Sequence, residues 1–383
     1  GRLDMTSELS SLCSYAKGKV SVDTLSKRNY VSTENMMPNK GGIVDAGALP
    51  SAQYTQQYIK DDILVSNIRP YFKKIWMADD DGGCSNDVLV FRAYRGCDST
   101  FLYYILANDA FFNYASATSK GTKMPRGDKT AIMQYKVPCF NYETQLRIGK
   151  LLRSIDDRIA VNKKINDNLQ QQLFSLYENM ATASPCLKEY TLSNLCDFQE
   201  GYVNPPQTHP EYFDGEVKWL RAVDINESFI IETSRTLTKA GFESAKKSAL
   251  LFEPNTIAIS KSGTIGRLGI IADYMCGNRA VINIAPHDTN MLAFIYCFLK
   301  SKQREFPDMA VGSVQKNLYV SLLEPLSVSI PDNESLTAFN AVGASILGMI
   351  HNNCVENTDL ANLRDTILPK LMSGEIDVSS VLL

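Results

Sequence analysis

The sequence repeats itself at a period of about half its length, and such a duplication constrains the fold more than any other feature. The segment Leu9-Ser-Ser-Leu-Cys13 returns 183 residues later as Leu192-Ser-Asn-Leu-Cys196. Six matched pairs in one order do not arise by chance, so we interpret the chain as a tandem duplication. The other five pairs, at offsets of 193 or 194 residues, are Asp62–Ser66 with Asn255–Ser260, Trp76–Asp79 with Ile270–Asp273, Phe101–Leu106 with Phe294–Leu299, Val137-Pro138 with Ile330-Pro331, and Ile148-Gly149 with Val342-Gly343.

Each half shows the same pattern of predicted elements. Short β-type runs broken by Gly, Asn and Pro come first, then one apolar helix-like segment, and Pro138 or Pro331 closes the globular part. This order predicts an α+β fold with two repeated β-rich domains. The clearest β-type runs are Ile63–Val65, Asp87–Phe91, Thr256–Ser260 and Ala280–Ile284, and the helix-like segments are Thr100–Phe112 and Met291–Lys300.

A long helical pattern follows each β-rich part. The pattern over Glu143–Met180 has a seam at strict three-four spacing, and Pro369 with Gly374 is predicted to end the pattern over Glu334–Leu368. A seam this long needs a partner, so we predict that the two helices pack against each other; the alternative is that each merely caps its own domain. The seam positions are Leu152, Ile155, Ile159, Asn162, Asn166, Leu169, Leu173, Leu176 and Met180 in the first helix, and Ile346, Met349, Asn353, Leu360, Leu363 and Ile367 in the second.

Composition argues against several classes of protein. With 383 residues, of which 44% are hydrophobic and 21% charged, the chain is expected to be globular with at least two domains. No apolar run approaches the ~18 residues of a membrane-spanning helix, and the cytoplasm is the expected location. Nine cysteines without a CxxC pair and three scattered histidines argue against a disulfide framework and against a metal site.

Enzyme motifs are incomplete. Asn204-Pro205-Pro206-Gln207 resembles the tetrad of adenine methyltransferases, but Gln stands where a stacking aromatic ring is needed. Ser262–Arg267 follows a predicted strand without the Gly-Lys-Ser/Thr ending of a phosphate-binding loop. The three histidines nominate no nucleophile–base set. The sequence therefore indicates a recognition protein, predicted to have no catalytic residues.

Local charge points to nucleic acid, although the net charge of −3 does not. The segment 117–136 carries five basic residues and one acid, and the segment 235–247 carries four basic residues and one acid. In the first segment Gly, Ser and Thr are interleaved with the cations, a mixture suited to phosphates and base edges. On charge alone, an ordinary solvated loop is the commoner explanation.

Several motifs together identify a family. Through them the chain resembles the specificity (S) subunit of bacterial type I restriction–modification systems, over nearly the full length from Leu9 to Val378. The motifs are Ser154-Ile-Asp-Asp-Arg-Ile159, Asn162-Lys-Lys-Ile-Asn166, Asn168-Leu169, Leu368-Pro-Lys-Leu-Met-Ser-Gly-Glu-Ile376, Asp62-Ile-Leu-Val-Ser-Asn-Ile-Arg-Pro70, Gly121-Thr-Lys-Met-Pro125, Gly263-Thr-Ile-Gly-Arg267 and Gly312-Ser-Val-Gln315.

The resemblance implies a pseudo-two-fold arrangement in which two target recognition domains are separated by two long helices packed as an antiparallel coiled coil. The expected limits are 1–142 for the first domain, 143–183 for the central helix, 184–332 for the second domain, and 333–383 for the C-terminal helix and tail. Each recognition domain is expected to read one half of a split site in double-stranded DNA.

Polar residues of the glycine-containing motifs and basic loops are the expected DNA contacts. They are Asn67, Arg69, Ser119, Lys120, Thr122, Lys123, Arg126, Lys261, Thr264, Arg267, Ser313, Gln315 and Lys316.

The resemblance also implies the partners and the division of chemistry. The expected partners are two methyltransferase (M) subunits and restriction (R) subunits, which use S-adenosylmethionine, ATP and Mg, so no cofactor is expected on this chain. Two hypotheses from other functional classes remain. The chain could be a stand-alone DNA methyltransferase with a degenerate cofactor site, or a coiled-coil scaffold that binds only protein. Binding of labelled S-adenosylmethionine distinguishes the first of these, and loss of all DNA binding with the M subunit present would favour the second.

Overall fold

The computed structural model of the chain describes residues 6–183, 188–313 and 315–379. Val314, within the Gly312–Gln315 motif, and the predicted domain boundary at residue 184 lie outside the described residues. The chain divides into two compact units: unit 1 comprises Gly1–Arg158 and Leu360–Leu383, and unit 2 comprises Ile159–Asp359. Both limits between the units fall inside long helices.

Unit 1 is built on three small sheets. Its strands are β1 (Thr6–Glu8), β2 (Cys13–Tyr15), β3 (Lys19–Ser21), β4 (Tyr30–Val31), β5 (Tyr54–Tyr58), β6 (Ile63–Ser66), β7 (Ile75–Met77), β8 (Gly82–Cys84), β9 (Val88–Ala93) and β10 (Lys136–Pro138). The strand orders are β2-β9-β6-β7 and β3-β5-β8-β4 in the four-stranded sheets, and β1 pairs with β10.

Unit 2 also has three sheets, with one strand more in the largest sheet and one strand fewer in another. Its strands are β11 (Lys188–Thr191), β12 (Cys196–Glu200), β13 (Phe213–Leu220), β14 (Phe229–Ile230), β15 (Thr236–Leu237), β16 (Ile257–Ser260), β17 (Leu268–Ile271), β18 (Cys276–Gly277), β19 (Val281–Pro286) and β20 (Ser327–Ile330). The largest sheet has the order β12-β19-β16-β17-β14, so its first four strands follow the order of β2-β9-β6-β7. The other sheets are β15-β13-β18 and β11-β20.

The central strands β6 and β16 are apolar on both faces because both faces are covered. Ile63 and Val65 of β6 join the core packed under the helices of unit 1, whereas Leu64 between them joins a second core on the opposite face. In β16, Ala258 likewise faces away from the cluster that contains its neighbours Ile257 and Ile259. A strand that is buried on both faces has a continuous run of apolar residues. The structure confirms the strands predicted from the runs Ile63–Val65 and Thr256–Ser260.

Nine helices of four residues or more lie within the described ranges: α1 (Ser99–Ala107), α2 (Asp109–Ala117), α3 (Lys129–Met133), α4 (Tyr142–Ala183), α5 (Lys239–Glu243), α6 (Leu292–Lys302), α7 (Phe306–Met309), α8 (Val320–Leu323) and α9 (Asn333–Met372). The prediction of one helix over Thr100–Phe112 is wrong, because Asn108 interrupts it. Asn108 adopts an extended conformation, and its Oδ1 accepts from the backbone N–H of Ala110 at 2.9 Å, so it ends α1 and caps α2.

The two long helices are confirmed, but the predicted end of the second one is wrong. Helix α9 continues through Pro369 to Met372. Proline inside a helix removes one backbone hydrogen bond and costs about 3 kcal/mol. Leu368 and Leu371, on either side of Pro369, are buried in the core of unit 1, and their burial offsets part of that cost.

The predicted seam is only partly right. In α4, Leu152, Ile155, Asn162, Asn166 and Leu173 are buried, whereas Leu176 is exposed. Ile159 and Leu169, also predicted for this seam, are half-buried.

In α9, the predicted seam positions Met349 and Leu363 are exposed by 48% and 49%, which corrects their assignment. Leu360 and Ile367 are half-buried. The predicted position Ile346 is buried, as are Leu347, Ile350, Leu368 and Leu371. The positions between them, Asn353, Cys354, Asn357, Ala361 and Arg364, are half-buried. These half-buried positions include Cys, Asn and Arg, so a search for apolar residues passes over them.

Candidate nucleic-acid interface

In unit 1, the chain leaving β6 is held against the basic loop that follows α2. The backbone N–H of Asn67 donates to the carbonyl of Asp87 at 2.8 Å, and the N–H of Gly127 donates to the carbonyl of Asn67 at 3.1 Å. Two residues later, the N–H of Arg69 donates to the carbonyl of Pro125 at 2.8 Å. These bonds bring Asn67 and Arg69 together with the predicted DNA contacts of the basic loop.

The basic loop itself is closed at its base. Lys120 and Arg126 exchange backbone hydrogen bonds of 2.8 and 2.9 Å, as a strand pair does. Gly121 has a φ of +98°, a conformation that favours glycine, so the turn depends on it. Thr122 and Lys123 are exposed in this loop. Ser119, just before it, donates its hydroxyl to the carbonyl of Ser116 at 2.6 Å.

Both cations at the base of this loop are paired within the protein. Lys120 Nζ lies 2.5 Å from Asp128 Oδ2, and Arg126 Nη2 lies 3.1 Å from Asp87 Oδ1. The hydrogen bond from Lys120 is the largest influence on the pKa of Asp128, which lies below its ordinary value of 3.8. Acids that sequence reasoning did not nominate therefore hold two of the predicted DNA contacts. Asp87 lies 39 residues before Arg126 in the sequence, so no local pattern could have shown that pairing.

Two other predicted residues of unit 1 are strained or incompletely bonded. Arg69 has a φ of +51°, and its Nε is buried without a hydrogen-bond partner among the described residues. The side-chain oxygen of the buried Asn67 also lacks a described partner. Gly127 leaves room for that oxygen, since a Cβ there would lie 2.8 Å from it.

Unit 2 holds its predicted residues with the same backbone bonds. The N–H of Lys261 donates to the carbonyl of Ala280 at 2.7 Å, and the N–H of Leu318 donates to the carbonyl of Lys261 at 2.9 Å. Val311 and Asn317 exchange backbone bonds of 3.0 and 2.9 Å, just as Lys120 and Arg126 do in unit 1. The predicted residues Ser313, Gln315 and Lys316 are exposed within the loop that this exchange closes.

The Lys261 side chain is also paired. Its Nζ lies 2.8 Å from Glu200 Oε1 and 4.8 Å from the centre of the Tyr319 ring, while the hydroxyl of Tyr202 donates to Glu200 Oε2 at 2.5 Å. Partial burial acts to raise the pKa of Glu200, but the hydrogen bonds from Lys261 and Tyr202 outweigh it and lower that pKa. Lys261 is therefore placed by this cluster rather than extended into solvent.

The Gly263–Arg267 segment of unit 2 is a tight turn around Ser260. The Ser260 hydroxyl donates to the carbonyl of Thr264 and accepts from the N–H of Arg267, the latter at 2.8 Å. The Thr264 side chain is exposed and Arg267 is half-buried. Gly266 at φ +84° packs on Phe306, where a Cβ would come within 3.0 Å.

The segment Asn204–Gln207, which resembles a methyltransferase motif, is partly held by contacts within the protein. Asn204 is exposed, Pro205 is buried, and Gln207 Oε1 accepts from Arg235 Nη1 at 3.1 Å. Across residues 6–183, 188–313 and 315–379, no group of three His, Cys, Asp or Glu side chains could hold a metal ion. In the same ranges, no helix is both long and apolar enough to cross a membrane.

Comparisons with known proteins agree on one family. The family model for the type I restriction modification DNA specificity domain matches residues 5–171 and 187–358, once in each repeat. The MjaIX specificity subunit of Methanocaldococcus jannaschii is 24% identical over 308 residues, covering 75% of this chain and 71% of that protein. The HindI specificity subunit of Haemophilus influenzae is 27% identical over 176 residues, covering 45% of this chain and 38% of that one.

A solved structure shows the same fold. The crystal structure of the S subunit of a type I restriction–modification system from M. genitalium superposes with a TM-score of 0.56 at 18% identity, covering 96% of each chain. The two matches to one family model follow the internal duplication, and the fold agrees over nearly the whole length. The chain therefore belongs to the family of type I restriction–modification DNA specificity subunits.

Proposed function

We propose that this chain reads a bipartite DNA site, one half-site with each recognition domain, as the specificity subunit of a type I restriction–modification complex. The repeated loop scaffold is the observation that carries the proposal. The same backbone hydrogen bonds present Lys120 and Arg126 in unit 1 but Val311 and Asn317 in unit 2. One scaffold with two sets of side chains suits the reading of two different half-sites, because base contacts specify sequence.

The chemistry of the complex is assigned to partner subunits. Two M subunits would transfer methyl groups from S-adenosylmethionine, R subunits would use ATP and Mg, and this chain would bind no cofactor and catalyse no step. Its net charge of −3 supports this division, since partners would supply much of the charge that neutralises DNA phosphates. Such a complex would act in the cytoplasm, where the DNA is.

The test is to express the chain with the M subunit of its own system in a host without adenine methylation, and to map methylated adenines by long-read sequencing. A single bipartite target with a constant spacer is the expected result. Methylation at a continuous target would contradict the proposal. So would saturable binding of S-adenosylmethionine to this chain alone, which would indicate the stand-alone methyltransferase.

We further propose that α4 and α9 form an antiparallel coiled coil with pseudo-two-fold symmetry, and that its length sets the spacer between half-sites. Contacts inside each unit support this. In unit 2, Asn166 Nδ2 reaches the carbonyl of Ile350 at 3.4 Å and its Oδ1 accepts from Asn353 at 2.8 Å. In unit 1, Arg364 Nη1 reaches Asp156 Oδ1 at 2.6 Å. Asn166, later in α4, thus contacts Ile350 and Asn353, whereas Asp156, earlier in α4, contacts the later residue Arg364 of α9. This order supports helices that run in opposite directions.

Inserting four helix-forming residues after Met180 tests the spacer proposal. The insertion lengthens α4 by about 6 Å and so adds roughly one or two base pairs of spacer, at ~3.4 Å per base pair. Both half-sites should keep their sequences, because no recognition loop is altered. Methylome mapping of the variant measures the new spacing. Full methylation at the original spacing would instead favour helices that merely cap their own domains.

A further inference from the structure

Beside the loops of unit 1 lies a polar cleft that the sequence did not reveal. It has a volume of about 360 Å³, and Lys19, Tyr54, Asn86 and Lys129 are among the residues that line it. Asn86 directly precedes Asp87, which holds both the backbone of Asn67 and the side chain of Arg126. Lys129 directly follows Asp128, the partner of Lys120. The cleft therefore adjoins the candidate interface.

Unit 2 has a cleft of about 550 Å³ lined by residues of the same kinds, among them Tyr202, Asn204, Lys246 and Arg279. Arg279 directly precedes Ala280, whose carbonyl holds the backbone of Lys261. The hydroxyl of Tyr202 and Lys261 Nζ share the carboxylate of Glu200. This cleft likewise adjoins the predicted DNA contacts of its unit.

The two clefts occupy equivalent positions in the repeat. Asn86 stands immediately before the residue whose carbonyl accepts from Asn67, and Arg279 stands immediately before the residue whose carbonyl accepts from Lys261. Lys19 and Tyr202, the residues after the repeated glycines Gly18 and Gly201, line their respective clefts. A cleft at one place in both copies, with different side chains in each, has the properties expected of a readout site.

The clefts also contain cations that have no ion pair with a described residue. Lys120, Arg126 and Lys261 of the predicted loops are all paired with carboxylates. Six other polar side chains of the clefts are exposed, and none of these six forms a hydrogen bond or ion pair with any described residue. Unpaired cations attract phosphate without first breaking an internal pair. These free polar side chains are Lys19, Asn86, Lys129, Asn204, Lys246 and Arg279.

We infer that the two clefts belong to the DNA-binding surface and that Asn86 and Arg279 determine half-site specificity. An asparagine amide pairs with adenine through two hydrogen bonds, and an arginine guanidinium pairs with guanine in the same way. Asn86 accordingly reads an adenine in one half-site and Arg279 reads a guanine in the other. Lys246, a point charge on a flexible stem, binds phosphate without reading bases. The inference rests on the proposed function and adds residues to it.

The test uses the full chain assembled with its M subunits and a panel of duplexes, each with one base pair of the mapped target changed. Arg279→Gln should lose on the order of 10- to 100-fold discrimination at one G·C pair of a single half-site. Asn86→Ala should lose similar discrimination at one A·T pair of the other half-site. Lys246→Ala should weaken binding to all duplexes alike and lower the salt slope by about one.

Arg304→Gln is the matched control, since Arg304 is an exposed arginine of unit 2 outside the cleft. Thermal unfolding of each variant checks that the fold is intact. The inference is overturned if the Arg279→Gln and Arg304→Gln complexes discriminate among the duplexes equally well. If the unaltered complex has no bipartite target, the proposed function fails instead, so the two failures are separable.

Discussion

The loops of unit 1 and unit 2 share a backbone scaffold and differ in the side chains that it carries. In both units the residue after the central strand accepts from the far end of the loop and donates toward the sheet, and a pair of residues closes the loop. The closing pair is Lys120 with Arg126 in one unit and Val311 with Asn317 in the other. Duplication preserved the hydrogen bonds that fold the loop and left its side chains free to diverge.

The same contrast holds for the way each unit places a lysine. In unit 1, Lys120 lies against the carboxylate of Asp128, whereas in unit 2 Lys261 lies over the ring of Tyr319 and against Glu200. Asp128 and Tyr319 each follow directly on the loop residue that donates to the chain after the central strand. Asp128 and Tyr319 therefore occupy equivalent positions in the two repeats. Asp128 holds a lysine by its charge, and Tyr319 holds one by the face of its ring.

The largest expected effect comes from exchanging unit 2 for that of a relative. Replacing residues 159–359 should change one half-site completely and leave the other intact, since each unit has its own core. Methylome mapping of the hybrid measures both half-sites. A hybrid in which both half-sites change would show that the units do not read independently.

The limits of that exchange matter, because unit 1 includes Leu360–Leu383. Leu368, Leu371 and Val378 are buried in the core of unit 1. A second hybrid that replaces residues 143–383 should therefore be less stable than the first. Comparing the thermal unfolding of the two hybrids tests this difference.

Two repeated glycines offer a smaller and more local contrast. A Cβ on Gly201 would lie 2.2 Å from the carbonyl oxygen of Asn278, whereas a Cβ on Gly18 would meet only the flexible side chain of Gln57, at 3.1 Å. Gly18 has a φ of +132°, so an alanine there is strained by the backbone instead. We expect Gly201→Ala to destabilise its unit by about 3 kcal/mol, and Gly18→Ala by roughly 1–2 kcal/mol. Hydrogen exchange in β19 and β9 measures each unit separately.

Some of these features follow from sequence patterns and others do not, for physical reasons. The apolar runs at Ile63–Val65 and Thr256–Ser260 predict strands. Both strands lie inside their sheets, where burial on two faces demands apolar residues throughout. The seam of α9 was predicted only in part: Ile346 is buried, whereas Met349 and Leu363 are exposed. Cys354 and Asn357 are half-buried without contributing to an apolar pattern. When a helix has two neighbours, both faces are partly apolar, and periodicity alone does not say which neighbour each face meets.

The site was predicted less completely than the fold. Glycine-containing loops identify candidate contacts such as Lys123, but they do not show that an acid neutralises Lys120. That pairing depends on where Asp128 begins α3, which is a property of the folded chain. The clefts beside Asn86 and Arg279 arise in the same way, from segments that only the sheets bring together.

Asp156 in unit 1 and Asn166 in unit 2 are α4 residues that both contact α9, and the difference between their contacts gives a further test. Arg364 in unit 1 pairs with Asp156, which also accepts from the Tyr104 hydroxyl at 2.5 Å, whereas Asn166 in unit 2 makes only neutral contacts with α9. Arg364→Ala should lower the free energy of unfolding by about 2 kcal/mol, because it removes a charge-assisted bond from a half-buried acid. Asn166→Leu should change it by less than about 1 kcal/mol. Urea unfolding that ranks the variants the other way would contradict this comparison.

The smallest expected effect is a change in the pKa of one carboxyl group. It tests the Lys120–Asp128 pair of unit 1 separately from the Lys261–Glu200 pair of unit 2. Because the hydrogen bond from Lys120 is the main cause that lowers the pKa of Asp128, Lys120→Ala should raise that pKa toward 3.8. The backbone N–H groups of Ala131 and Thr130 remain, so the pKa should stay below that value. A lowered carboxyl pKa stabilises the fold above the unfolded pKa, and this stabilisation is lost as the pH falls through the folded pKa. The stability difference between Lys120→Ala and the unaltered chain should therefore be present at neutral pH and shrink in that acid range.

NMR titration of Asp128 measures the shift of its pKa. The control in the other unit is Lys261→Ala, which should leave the pKa of Asp128 unchanged while raising the pKa of Glu200. An Asp128 pKa that does not respond to Lys120→Ala would mean that the helix-capping bonds alone hold this carboxylate.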